Sequence, residues 1–96
     1  MAKQSVSSMT KKVPDAAVFT AIHEELARAR LKFPNPQGSM TALTEEVGEL
    51  AKALLDESWD RVVKEAIQVA VMAIRVATEG DPTLDEYRRQ SRNSPD

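Results

Sequence analysis

The chain has 96 residues, 42% of them hydrophobic, a net charge of −2 at pH 7, no cysteine and one histidine, His23. One small domain is expected, burying ~60–65% of the surface that its unfolded form exposes. The composition excludes disulfides, thiolate zinc sites and thiol nucleophiles, makes a one-chain Ser-His-Asp triad or histidine-rich metal site hard to build, and shows no Lys/Arg stripe for nucleic acid.

Residues 1–12 are polar, lack the apolar run of a secretory signal and read as a flexible arm. The longest apolar run, 69–74, is far shorter than the ~18–20 residues of a membrane span, so a soluble, cytoplasmic protein is expected. Pro14-Asp15 suits the first turn of a helix, through the fixed φ of proline and the attraction of an early carboxylate to the positive end of the helix dipole. Phe19, Ile22, Leu26, Ala29 and Phe33 then recur every three or four residues as a narrow apolar seam. Arg28, Arg30 and Lys32 lie near the carboxyl end, and the run PNPQG at 34–38 stops the helix in a loop.

A second helix follows, with either Ser39 or Thr41 as its cap and Leu43, Val47, Leu50 and Leu54 as its predicted core seam. At 100° per residue, Glu46 lies about 70° to one side of that seam and Glu49 about 130° away on the same side. Ala42 and Ala53 fill this shoulder, leaving room beside the carboxylates. Gly48 costs roughly 1 kcal/mol in mid-helix relative to Ala. It marks either a close approach by a backbone or ligand, or a tolerated accident.

The short connection DESWD at 56–60 predicts an antiparallel third helix capped by Ser58. Val63, Ile67, Ala70, Ile74 and Ala77 give it one apolar face, and Val62, Val69, Met72 and Val76 a second. A helix apolar on two sides is covered on both, so a homo-oligomer is expected to complete the core. The Val and Ile content of 69–77 also suits a strand, but the alanines, the length of the pattern and Gly80 favour helix. Asp81-Pro82 resembles a cap and first-turn proline opening a short helix through Tyr87 and Arg89, with a frayed tail at 91–96. The fold class is therefore all-α, a bundle of short antiparallel helices spanning 13–90 and completed by oligomerisation.

Two polar clusters stand out. Glu46 and Glu49 are three residues apart, as are Glu65 and Gln68, and this spacing puts each pair on one helix face. Two such faces brought together make a set of oxygens suited to a hard cation such as magnesium. The bland reading of Glu45, Glu46 and Glu49 is a solvated face, and that of Glu65 an ion pair with Arg61 one turn earlier. Arg61, Arg75, Lys52 and Lys64 either hold phosphates or pair with nearby carboxylates. Trp59 either stacks on a nucleobase or folds back over the core.

Glu45-Glu46-x-x-Glu49, fifteen residues, then Glu65-x-x-Gln68 resembles the EExxE…ExxD signature of the MazG-like, all-α nucleoside triphosphate pyrophosphohydrolases. LTEEVGELAKAL at 43–54, Lys32-Phe33-Pro34 before it and Gly80-Asp81-Pro82 after it are similar to that family's wording, over about 15–89. The resemblance implies a dimeric or tetrameric helical bundle that cleaves a (deoxy)nucleoside triphosphate to monophosphate and pyrophosphate. It implies Mg²⁺, or Mn²⁺ in its place, held by Glu46, Glu49, Glu65 and Gln68. Glu45 and Glu46 become the catalytic carboxylates, Glu45 as a further ligand or as the group orienting water, and Arg61, Arg75 and Trp59 the substrate contacts. The family pattern has Asp where this chain has Gln68, and an amide oxygen is a neutral, weaker ligand. The rival expectation is a non-catalytic helical oligomer that binds nucleotide or a protein partner with an impaired metal site.

Overall fold

A computed structural model describes residues 13–35 and 37–92. These are all-helical: α1 Asp15–Lys32, α2 Ser39–Asp56, α3 Trp59–Glu79, a 3-10 turn Pro82–Leu84 and α4 Asp85–Arg92. Residues 1–12 and 93–96, read above as arm and tail, lie outside the described residues. Helix α4 runs through Arg92, three residues beyond Arg89.

The organising element is α3. Helices α2 and α1 each pack along it and barely meet one another. The link of Glu57 and Ser58 turns α2 back on α3, so the two run antiparallel as expected. Helix α1 runs parallel to α3: Glu25 meets Gln68, and farther along Ala29 and Phe33 meet Arg75. Helix α1 thus lies over part of the first face of α3, where Val63 and Ile67 share hollows with Ala21 and Ile22. A third side, with Ala66, Ala73 and Ala77, stays exposed.

The face of α2 that meets α3 differs from the predicted one. Ser39 and Ala53 are its buried residues, whereas Val47 and Leu54 of the expected Leu/Val seam remain nearly half exposed. The contact face is turned from that seam toward the shoulder of Ser39, Ala42, Glu46 and Ala53, with Leu43 and Leu50 half-buried along its edge. Small side chains let the helix axes approach closely, which the larger leucines prevent. In α1 the seam likewise serves only in its middle: Ile22, Leu26 and Ala29 are half-buried while Phe19 and Phe33 face outward.

Caps follow the sequence at three ends out of four sites tested by it. The Ser58 hydroxyl accepts from the Arg61 N–H at 3.3 Å, opening α3 as predicted. Gly80 (φ 72°) closes it, its N–H bonding to the Val76 carbonyl. Asp81 caps the 3-10 turn, accepting from the Thr83 N–H at 3.1 Å, with Pro82 in its first turn. Neither Ser39 nor Thr41 caps α2: its cap residue is Gly38 in the left-handed region (φ 68°), and Ser39 is buried with its hydroxyl unpartnered. The cap arrives from 41 residues away, where the Asp81 carboxylate accepts from Met40 N–H at 2.9 Å and Gly38 N–H at 3.2 Å. One side chain thereby joins the start of α2 to the end of α3.

Asp81→Ala should lower the unfolding free energy by about 1–2 kcal/mol, as the loss of a helix cap does, measured by urea denaturation. The Thr83 hydroxyl first, then the Met40 amide, hold the Asp81 carboxyl below its ordinary range. A depressed folded-state pKa contributes stability above the unfolded value and loses it as pH falls through the folded one. The cost of Asp81→Ala should therefore shrink on acidification below about pH 4. An equal cost at neutral and acid pH would contradict the assignment.

The carboxyl ends of α1 and α3 are joined by a second network. Arg75 is 2% exposed; it donates to the carbonyls of Phe33 at 2.7 Å and Ala29 at 3.3 Å and pairs with Glu79 at 2.8 Å. Glu79 also takes Arg30 at 2.9 Å. The Phe33 carbonyl, just past the end of α1, is thus satisfied by a cation at the negative end of the dipole, while the Ala29 carbonyl takes the same cation in addition to the Phe33 N–H at 2.8 Å.

Candidate functional site

The antiparallel pairing of α2 with α3 brings the two polar clusters together through Glu46 and Glu65. Glu65 is 5% exposed and Glu46 half-buried. Their carboxyl groups lie near enough across the two helices to act on one another. Burial first, then the Glu65 charge and that contact, and then the Glu49 and Glu45 charges, raise the Glu46 carboxyl above its ordinary range. An enclosed pair of mutually repelling carboxylates is stabilised either by a proton or by a cation. The same geometry therefore serves as donor chemistry for a hard divalent ion.

Glu65 also forms the ion pair that the bland reading supposed: Arg61 Nε lies 3.1 Å from its carboxylate and 3.3 Å from that of Glu57. Arg61 is itself partly exposed, so the pair neutralises Glu65 from the outer side. Glu45 and Glu49 are exposed and border an open depression with Gly48, Lys52, Glu57 and Arg61. A side chain added at Gly48 would meet nothing within 4 Å, so no backbone of this chain makes the close approach that its glycine suggested. Among the described residues no three acidic or histidine side chains stand close enough together to hold a metal ion.

Gln68 faces α1. Its Nε2 donates to Glu25 at 2.9 Å, and Glu25 is gripped by Arg28 through contacts of 3.0 and 2.6 Å. These bonds, Arg28's before Gln68's, lower the Glu25 carboxyl to about 2. Glu25 escaped the sequence reading because acidic residues on a charged helix are unremarkable. The signal was its position: at i+3 from Ile22 and i−4 from Ala29 it falls within the apolar arc.

Between α1, the loop after it, α2 and α3 lies a cleft of about 600 Å³, reached by Lys32, Asn35, Gln37, Ser39, Glu46 and Gln68. It joins a carboxylate of the α2–α3 pair to a polar loop and a cation. Arg75 borders it too, but Nε and both Nη atoms are engaged by Glu79, Phe33 and Ala29, which makes its place structural. Trp59 stands elsewhere, against Val18, Ile22 and Val62 in an apolar hollow of about 390 Å³. There it folds over the core, with its buried Nε1 unpartnered, and does not border the cleft.

Comparison of the chain with protein-family models, with curated proteins and with solved structures gave no match.

Proposed function

We propose that the protein is an all-α, Mg²⁺-dependent nucleotide pyrophosphohydrolase of the MazG-like kind. The observation that carries this reading is the meeting of Glu46 and Glu65 across α2 and α3, beside a cleft of about 600 Å³. That volume lies within the ~300–1,000 Å³ of small-molecule sites. Glu46 and Glu65, which already approach each other, would begin the donor set; Glu49 and the neutral oxygen of Gln68, the other ligands that the resemblance implies, would have to move in to complete it, since no three acidic side chains stand together among the described residues. A bound divalent cation supplies charge neutralisation on phosphate oxygens and lowers the pKa of a coordinated water.

The chain's own residues supply the rest. Arg61 pairs with Glu65 at 3.1 Å and aligns it from the solvent side. Lys32 places a cation at the cleft wall, where phosphates are attracted, and Asn35 and Gln37 offer amide donors and acceptors to a base or sugar. Glu45, exposed next to Glu46 at the outer depression, would act as a further ligand or orient the attacking water.

The reading includes assembly of two or four copies. Among the described residues of the single chain, Ala53, Val62 and Val71 are the buried apolar ones. The Cα radius of gyration is 17.1 Å, against ~12 Å for a compact domain of this length. Val47 and Leu54 on α2, with Leu31 and Leu55 at 85% exposure, offer the apolar surface that a second copy would cover. No described helix is long and apolar enough to cross a membrane.

The rival reading, a nucleotide- or partner-binding oligomer with an impaired metal site, is favoured by one observation: Gln68 spends its amide N–H on Glu25. One experiment separates the two. The purified protein should release pyrophosphate from a nucleoside triphosphate only with Mg²⁺ or Mn²⁺, and sediment as a multiple of 10.6 kDa. A nucleotide-induced rise in melting temperature without any pyrophosphate would favour the rival.

A further inference from the structure

We infer that residues 1–12 form a clasp, with Val6 and Met9 filling the apolar hollow beside Trp59 and so completing the packing of α1 on α3. The inference stands apart from the proposed catalysis and holds whether or not the protein turns over a nucleotide.

The hollow lies where two parallel helices begin. Glu25 meets Gln68 across a sequence separation of 43, a register that sets Asp15 level with Ser58 and the two amino ends side by side. Arg75 clamps the carboxyl ends together, whereas the amino ends leave between them a hollow of about 390 Å³. Its walls are apolar, with Val18 and Ile22 from α1 and Trp59, Val62 and Ile67 from α3. The buried indole N–H of Trp59 has no acceptor among the described residues. A dry cavity of ~150 Å³ takes one benzene-sized group, so this hollow has room for roughly two apolar side chains.

Three observations name the occupant. The first is continuity: Val13 is the first described residue and is itself part of the wall, so the preceding segment departs from the edge of the hollow. At ~3.3–3.6 Å per residue, Met9 lies no more than ~14 Å from Val13 and Val6 no more than ~25 Å, so both reach. The second is composition. Beyond Met1 and Ala2, the apolar residues of the segment are Val6 and Met9, two side chains for a space that takes about two. Its main chain also offers the carbonyl oxygens that a buried indole N–H requires. The third is charge. Lys3, Lys11 and Lys12 lie in the segment with no acid, which leaves ten of the 13 Lys and Arg to face all 15 Asp and Glu in the rest of the chain. Two of those acids, Asp15 and Asp60, stand in the first turns of α1 and α3, at the same end as the hollow.

Trp59 is the one tryptophan of the chain, so its fluorescence reports on the hollow alone. In the full chain its emission should be that of an enclosed indole, weakly quenched by acrylamide. Val6→Ser combined with Met9→Ser keeps the charge of the segment and should shift that emission to the red and raise the quenching. The same pair should lower Tm by ~4–8 °C, the scale of losing one partly buried aliphatic side chain in a domain this small. Ser5→Ala combined with Ser8→Ala leaves the apolar pair in place and should match the unaltered protein. Ser7→Cys supplies the sole thiol, and a nitroxide attached there should quench Trp59 of the same molecule. When labelled chains that also carry Trp59→Phe are mixed with unlabelled native ones, Trp59 emission should stay bright. Quenching in that mixture would overturn the inference in favour of a segment exchanged between copies. An emission unmoved by the loss of Val6 and Met9, or moved equally by the serine-to-alanine pair, would overturn it outright. Circular dichroism reports folding; if the double serine variant does not fold, the nitroxide-labelled chain carries the test, and an unquenched Trp59 there refutes the clasp.

Discussion

Glu46→Gln should make the metal-free protein harder to unfold and at the same time abolish the cation-dependent turnover proposed above. The two effects have one cause. Burial, and then the neighbouring Glu65 charge, raise the Glu46 carboxyl above its ordinary range. An acid whose pKa is raised by folding opposes folding when ionised. That penalty is fully present above the folded-state pKa and disappears below the unfolded one. A neutral amide of the same shape removes it and should raise the unfolding free energy at neutral pH. The gain should fade as pH is lowered through the carboxylate range. Turnover should drop by ~10³-fold or more, because a ligand carboxylate contributes several kcal/mol to charge stabilisation. Urea denaturation with a chelator present, run beside a pyrophosphate assay with Mg²⁺, reads both. A Glu46→Gln protein that is less stable than the original would contradict the account of the pair.

Arg75→Met should be the most destabilising single change, by about 3 kcal/mol, since removing one partner of a buried ion pair leaves unsatisfied groups behind. Those groups can be named: the carbonyl of Phe33 and the carboxylate of Glu79, while the Ala29 carbonyl keeps the Phe33 N–H. Arg30 still reaches Glu79, which keeps the cost from being larger. The damage should be local in origin. Hydrogen exchange should quicken first in α1, whose carboxyl end loses its anchor on α3, while the α2–α3 hairpin stays protected. The Glu79 carboxyl, held below its ordinary range by Arg75 first and Arg30 second, should titrate closer to that range in the variant. A melting temperature unchanged by Arg75→Met would refute the clamp and return Arg75 to consideration as a phosphate contact.

These two residues show how differently the chain could be read in advance. Glu46 was singled out because its spacing to Glu49, and that of Glu65 to Gln68, are one-dimensional facts that helix periodicity converts into faces. Arg75 was placed among substrate contacts because a cation near an acidic motif suggests phosphate. Its partners are two main-chain carbonyls 42 and 46 residues away, and carbonyls leave no mark in a sequence. Asp81 shows the same divide in one side chain: its cap on the 3-10 turn was legible, while its cap on α2 was not.

By itself the sequence determined that the chain is helical, where the helices break, that α2 and α3 form a hairpin, and which carboxylates share a face. Each of these depends on neighbours within a few positions, where propensity, periodicity and turn chemistry act. Only the tertiary structure decided that α2 meets α3 on its small-residue shoulder rather than on its leucines, and that α1 lies parallel to α3. From that followed the bond between Gln68 and Glu25. Which side of an amphipathic helix is buried depends on how closely two axes can approach, and that distance is set by both surfaces together.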